Sequence, residues 1–366
     1  MRFRSLSLTD FRSYAEAEVD FAPGLTAVIG PNGHGKTNLL EALGFVSGLG
    51  SFRGATDAAL IRDGAPCCVV RCSGLGESDR DILIEVELAR ARPNRVRVNR
   101  QPVARRRDLL GVLTASAFSP EDLDLVKGEP ALRRRWIDDA LAAVRPSWGV
   151  LRSELDRILR QRNTLLRQAK GRATSDVAIT LDVWDAKLSA VGDELRMRRR
   201  DLLAELEPQI CRHYGHISRG RSDAGVSYQS SWNDGSLAAA LAAARAEDLK
   251  RSRSTVGPHR DDVVLKIGGL PARSHASQGE QRSLALALRL AVDAAVREHR
   301  GVEPVLLLDD VFSELDAGRA AALLETLPPG QRILTTASSE LPAGVEPDQV
   351  VRVVDGRART VTRAEW

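Results

Sequence analysis

Gly30-Pro31-Asn32-Gly33-His34-Gly35-Lys36-Thr37 stands between the apolar run Leu25-Thr26-Ala27-Val28-Ile29 and the helix-like run Asn38 to Phe45. A Gly-x-x-x-x-Gly-Lys-Thr segment placed between strand and helix is a phosphate-binding loop. Its glycines let successive backbone N–H groups turn inward around an anion, and the helix N-terminus behind them adds positive partial charge. In that geometry Lys36 bridges β- and γ-phosphates and Thr37 ligates Mg2+. Gly30, Pro31, Asn32, Gly33, His34, Gly35, Lys36 and Thr37 are therefore expected to hold ATP with Mg2+. A chance glycine turn is the plainer alternative.

Val305-Leu306-Leu307-Leu308-Asp309-Asp310 has the pattern of a parallel strand covered on both faces and ending in two carboxylates. It looks like a Walker B strand. Asp309 would hold Mg2+ through a water, and Asp310 would orient or deprotonate the attacking water. Two acids at an exposed strand end are otherwise ordinary solvation. Upstream, Ser277-Gln278-Gly279-Glu280-Gln281 opens a run in which Leu284, Leu288, Ala291, Val292 and Ala295 recur at helical spacing. Ser-x-Gly at a helix start makes an anion site from a hydroxyl, a flexible backbone and the helix dipole. Taken alone it is more often a helix cap. It resembles the signature of ABC-type ATPases, which contacts the γ-phosphate held by the opposite subunit, so Ser277, Gln278, Gly279 and Glu280 are expected to act in trans. Ser313 and Asp316, in Ser313-Glu314-Leu315-Asp316, stand at the D-loop of the same pattern.

Further segments sharpen the resemblance: Leu8-Thr9-Asp10-Phe11-Arg12-Ser13-Tyr14, Lys36 through Ala42, Phe118-Ser119-Pro120-Glu121-Asp122, Gly257-Pro258-His259-Arg260-Asp261-Asp262 and Leu308 through Asp316. Over essentially the whole chain they closely resemble the RecF family, bacterial recombinational-repair ATPases related to SMC proteins. The resemblance implies an α/β fold: an ABC-type P-loop ATPase head with an inserted, mainly helical second lobe. It implies ATP-driven homodimerisation on duplex or gapped DNA and at junctions of single and double strand, RecR with RecO as partners, and support of RecA loading and the SOS response. It also implies Arg12 beside the nucleotide. Three departures from transporter-type ABC ATPases stand out. Asp310 replaces the usual Glu and is one methylene shorter, so slow, DNA-stimulated hydrolysis acting as a release timer is expected. After Arg332-Ile333-Leu334-Thr335, Thr336-Ala337 replaces the usual switch His. No glutamine marks the lobe junction near Phe118-Ser119-Pro120.

Lys36 and Asp309 belong to one site yet lie far apart in sequence, so the chain leaves the core and returns. Short β-rich runs fill the first part: Cys67-Cys68-Val69-Val70-Arg71, Ile82 to Leu88, and Arg95 to Val98 before a turn at Asn99-Arg100. After Pro120 the pattern turns helical. Leu181, Trp184, Leu188, Val191, Leu195 and Leu202 form a stripe that Arg198 interrupts, too short for SMC arms. Gly171 to Ser175 turns one helix back on another. Val263 to Ile267 is expected as a strand re-entering the nucleotide core. The organisation expected is 1–120 and 256–366 as the ATPase core, with 121–255 as the helical insertion.

At 366 residues the chain suits one large or two moderate domains. Net charge is only +4, but the basic residues are overwhelmingly Arg, suited to bidentate phosphate contacts. Arg105-Arg106-Arg107, Arg133-Arg134-Arg135, Arg196 with Arg198-Arg199-Arg200, and Arg251 with Arg253 are basic clusters, each a solvated helix face or, several together, a DNA groove. Aromatic content of 4% supplies no base-stacking platform, so backbone contacts are expected. Cys67, Cys68, Cys72 and Cys211 show no disulfide or metal spacing and are expected as reduced core residues. No run approaches the ~20 apolar residues of a membrane span, which points to the cytoplasm. Two other classes share the nucleotide motifs. A transporter's nucleotide-binding subunit would carry the missing His and associate with lipid; a structural SMC-like protein would need long heptad arms.

Overall fold

Leu25–Ile29 and Val305–Asp309 are buried at every position, as only strands covered on both faces can be. The computed structural model describes residues 1–48, 50–103, 106–109, 111–232, 235–312, 315–337, 341 and 345–362. In chain order the elements are β1 (Arg2–Phe11), β2 (Tyr14–Asp20), β3 (Leu25–Ile29), α1 (Lys36–Val46), α2 (Asp57–Leu60), β4 (Cys67–Leu75), β5 (Asp81–Ala89), β6 (Arg95–Val98), β7 (Gln101–Pro102) and β8 (Ala115–Phe118). Then come α3 (Leu123–Lys127), α4 (Pro130–Val144), α5 (Gly149–Ala169), α6 (Ser175–Ser218), β9 (Ala224–Gln229), α7 (Leu237–Arg251), β10 (Asp262–Ile267), β11 (Leu270–Pro271) and α8 (Ala272–His275). The chain closes with α9 (Gln278–Arg300), β12 (Val305–Asp309), α10 (Ala317–Thr326), β13 (Arg332–Thr336), β14 (Gln349–Val354) and β15 (Arg357–Val361).

The chain divides into two units: residues 1–122, 212–221 and 278–366 form the first, and 123–211 and 222–277 the second. In the first, a six-stranded sheet runs β15-β14-β3-β13-β12-β8, parallel except for β15. A second, antiparallel sheet runs β2-β1-β4-β5-β6-β7. Leu39, Leu40, Leu43 and Phe45 of α1 lie between the two, against Phe3, Leu6 and Val70 on one side and Val28 and Leu307 on the other. Cys68 and Cys72 sit in this core as reduced thiols, and burial raises both, Cys68 to about 12. The other face of the parallel sheet packs on Leu286 and Leu290 of α9 and Leu323 of α10. Truncating one of the α1 leucines to Ala would cost about 2–5 kcal/mol. Asn99 and Arg100 adopt φ of 49° and 67°, the left-handed pair that a two-residue hairpin requires between β6 and β7.

The second unit is mainly helical, but it includes a three-stranded sheet, β11-β10-β9. Val263–Ile267 therefore does not re-enter the nucleotide sheet. It pairs antiparallel with β9 at Tyr228–Ala224, because β9 offers a free edge after α6 ends. The lobe expected over 121–255 has as its counterpart a unit that continues to Ser277. No helix among the described residues is long and apolar enough to cross a membrane.

Candidate functional site

Gly30, Gly33 and Gly35 have φ of 150°, 83° and 118°, a curl that side-chain-bearing residues resist. A Cβ on Gly30 would stand 2.1 Å from Val353 O, so that position has no room for another residue. Lys36, the first residue of α1, is buried and its Nζ donates to Gly30 O at 2.7 Å, Pro31 O at 2.9 Å and Asn32 Oδ1 at 3.4 Å. These loop oxygens satisfy the ammonium where phosphate oxygens would. Burial lowers the Lys36 pKa, against the opposing pull of Asp310 and Asp309. Tyr14 OH donates to Gly35 O at 2.9 Å, and the Asn38 amide donates to Ser13 Oγ at 3.0 Å, so the β1–β2 turn buttresses the loop. His34 Nδ1 accepts from Asp355 N–H at 3.0 Å, and His34 O from Gly356 N–H at 3.2 Å. The imidazole thus ties the loop to the β14–β15 turn, a partner that the loop motif alone does not reveal.

Strand β13 lies between β3 and β12 and carries Thr335, which sequence reasoning passed over. Thr335 Oγ1 donates to Asp309 Oδ1 at 2.7 Å and accepts from Asp310 N–H at 2.9 Å. Thr37 Oγ1 donates to the same Asp309 oxygen at 2.9 Å. The glycine loop and the acidic strand end, 272 residues apart, meet at one carboxylate. Burial raises the Asp309 pKa; the Thr335 and Thr37 hydrogen bonds oppose this, while Glu121 and Asp310 add to it. A desolvated carboxylate beside a hydroxyl and further acids is a hard-oxygen set whose charge a divalent cation would stabilise. Thr37 and Asp309 fit Mg2+ in that sense. Glu121, after the lobe-junction segment that lacks a glutamine, adds its negative charge to that of Asp310 in raising Asp309. Asp310 adopts φ 49°, a left-handed conformation that short Asp tolerates better than longer residues.

Arg12, also left-handed at φ 53°, donates from Nε and Nη2 to Glu41 at 2.8 and 2.9 Å and from Nη1 to Ala59 O at 3.0 Å. Glu41 is fully buried and also accepts from Ser51 Oγ. Arg12 borders a cavity of about 600 Å³ lined with Ser13, Asn38, Thr56, Ile61 and Arg90. Its guanidinium is thus committed to a buried carboxylate while it edges the space next to the glycine loop.

Ser277 and Gln278 are exposed at the start of α9, and Gly279 O accepts from Ser283 Oγ at 2.9 Å. Asp316 caps α10 by accepting from Arg319 N–H at 2.9 Å, a bond that lowers its pKa. Ser313 and Glu314 lie outside the described residues. In the sheet order β8 stands three strands from β3, a lateral separation of roughly 14 Å at the usual strand spacing. Helix α9 packs beside β8, and Leu286 and Leu290 belong to the cluster on that face of the sheet.

The basic clusters divide. Arg133 and Arg199 are neither solvated nor free for DNA. Arg133 pairs with both oxygens of Asp262 at 2.8 and 2.9 Å, and Arg199 with both of Asp138 at 2.7 and 2.8 Å. Arg134 donates to Asp261 O at 2.7 Å. Arg135, Arg200, Arg251 and Arg253 stay exposed. Arg105 and the side chains of Arg106 and Arg107 lie outside the described residues. Arg199 also holds Pro258 O, Asp261 accepts from Tyr228 and Ser231, and His259 Nε2 and Arg260 both meet Ser254 O. Gly257 through Asp262 is therefore the polar hub of the second unit. Burial lowers His259 to about 4, so the ring stays neutral in it.

A glycine loop on β3, acids at the end of β12 and an exposed helix N-terminus at α9 define an ABC-type ATPase head of the SMC kind. Residues 2–361 match the family described as RecF/RecN/SMC N terminal domain, and an SMC head with a bound ScpA winged-helix domain shares the fold at TM-score 0.59 and 18% identity, covering 99% of this chain and 97% of that one. The Streptomyces avermitilis DNA replication and repair protein RecF is 43% identical, covering 99% of this chain and 98% of its own. The recombination mediator protein RecF with ATP, from the RecFOR pathway, aligns at TM-score 0.90 and 28% identity, covering 98% and 97%. The chain belongs to the RecF family.

Proposed function

We propose that two copies of this chain close on each other by sandwiching ATP and Mg2+, and that the closed dimer holds DNA during replication and recombinational repair. The observation that carries this is Asp309 joined by Thr37 and Thr335 in one half-site, while Ser277 stands exposed. Gly30 through Thr37 bind the phosphates, with Lys36 on the β- and γ-phosphates and Arg12 beside the nucleotide. Thr37 and Asp309 hold Mg2+, which supplies charge neutralisation of the transferring phosphoryl group. Asp310 orients the attacking water. Ser277, Gln278, Gly279 and Glu280 of the second copy complete the site, with Ser313 and Asp316 at the seam. Because ATP becomes part of the interface, it favours the dimer by its differential affinity for the closed state. Hydrolysis is slow, DNA-stimulated and times release.

The partners in this reading are duplex DNA and single-strand/duplex junctions, then RecR with RecO, leading to RecA loading and the SOS response in the cytoplasm. The SMC kinship and the relative from the RecFOR pathway support it. Light scattering on the wild type and Ser277→Arg tests the sandwich. A slowly hydrolysed ATP analogue should double the mass of the wild type, while the variant binds the analogue and stays monomeric. Equal dimerisation of both would remove the trans role of the signature.

A further inference from the structure

The composite-site reading leaves one chemical gap: the position after Thr335 carries Thr336 where a histidine would face the γ-phosphate. Arg319, on the first turn of α10, lies directly on the signature glycine. A Cβ added to Gly279 would stand 1.8 Å from Arg319 Nη1 and 3.0 Å from its Cζ, so the guanidinium fills the space that a side chain would take. The Arg319 side chain is only 14% exposed. Among the described residues its nearest carboxylate oxygen is Asp316 Oδ2, 3.6 Å from Nε, beyond hydrogen-bond reach. That long ion pair leaves N–H donors of the guanidinium for an arriving anion. Arg219 extends the same basic surface, donating to Gly318 O at 3.0 Å.

We propose that Arg319 is the phosphate-facing arginine of the composite site, presenting its guanidinium over Gly279 to the γ-phosphate held by Lys36 and Thr37 of a second copy. The proposal rests on the trans role of the signature stated above. A planar fork of N–H donors suits a phosphate better than the histidine it replaces. It stabilises charge on the transferring phosphoryl group without moving a proton.

The test is hydrolysis by mixed dimers. Arg319→Met keeps the volume over Gly279 and removes the charge. Its kcat should fall about 100-fold, while nucleotide affinity of the monomer changes less than about 3-fold; Arg319→Lys should recover part of the loss. Asp310→Asn binds ATP and does not hydrolyse it. Mixed with Arg319→Met, it should restore hydrolysis, since one site of each heterodimer joins an intact Asp310 to an intact Arg319. Ser277→Ala mixed with Asp310→Asn is the reference for the trans site. If that pair recovers and the Arg319→Met pair does not, Arg319 acts only within its own subunit and the proposal fails. If neither pair recovers, the composite site fails and takes the proposal with it. Full activity of Arg319→Met alone also overturns it.

Discussion

Thr335 joins the two halves of the site through a single hydroxyl, donating to Asp309 and accepting from Asp310 N–H. Thr335→Val keeps the shape and removes both bonds, leaving buried polar groups unpaired at about 1–3 kcal/mol. We expect a lower melting temperature and a loss in kcat larger than the loss in ATP affinity; a loss confined to affinity would contradict the role given to Thr335. Arg12 is a second such residue. Removing it leaves the buried Glu41 carboxylate without its counter-ion and with only the Ser51 hydroxyl, so Arg12→Ala should destabilise by about 3–5 kcal/mol. Arg12→Ala with Glu41→Ala should cost less than the sum, measured by denaturant unfolding as a double-mutant cycle. Asp293, wholly buried on α9, is raised to about 7 by desolvation, with a hydrogen bond from Ser116 and the charges of Arg289 and Arg297 opposing. Its folded pKa exceeds the unfolded one, so the folded state binds more protons between about pH 4 and 7 and stability falls as pH rises through that window. Asp293→Asn should therefore raise the melting temperature by a margin that grows from pH 5 to 7 and levels off above; a margin independent of pH would refute the assignment. Lys36, Thr37 and Asp309 were legible in the sequence because the glycine loop and the acidic strand end are local patterns. Thr335 and Glu41 were not, since their meaning comes from β13 lying between β3 and β12 and from the β1–β2 turn folding onto α1.

At the scale of elements, the first turn of the helix α9 has room only for a glycine at 279 because α10 lays Arg319 across it. Gly279→Ala should abolish ATP-dependent dimerisation while leaving monomer nucleotide affinity intact. Adding Arg319→Ala should restore dimerisation, since the collision is gone, but not the hydrolysis rate. Failure of the second change to restore the dimer would mean that Gly279 is needed for another reason. In the second unit, α4, α6 and the segment 257–262 are joined by buried arginines whose carboxylate partners are set. Arg199→Met alone should cost about 3–5 kcal/mol by stranding Asp138, and Asp138→Leu added to it should recover much of that in the melting curve. The helical stripe of Leu181, Leu188, Leu195 and Leu202 was readable from its period, and all four are buried. The destination of β10 was not readable. A strand pattern names its partner only through long-range pairing, and β9 is 33 residues or more away in register at every rung.

For the whole molecule, the first unit is assembled from three separated stretches, 1–122, 212–221 and 278–366. The ATPase core and the need to return to it followed from Lys36 and Asp309 having to meet. That residues 222–277 pack with the helices did not, because contact density has no local signature. The paired, buried arginines also change the DNA expectation, since Arg133 and Arg199 are lost to it and exposed positions such as Arg200, Arg251 and Arg253 remain. Backbone binding by several of these should weaken linearly in log–log salt titrations, each lost phosphate contact lowering the slope by about 1. The most direct test of the sandwiching claim is duplex and gapped DNA binding by anisotropy, with and without ATP, for the wild type and Ser277→Arg. ATP should tighten binding of the wild type only, with the variant's own ATP affinity retained. DNA binding indifferent to ATP, or equally tightened in the variant, would contradict a clamp closed by shared nucleotide.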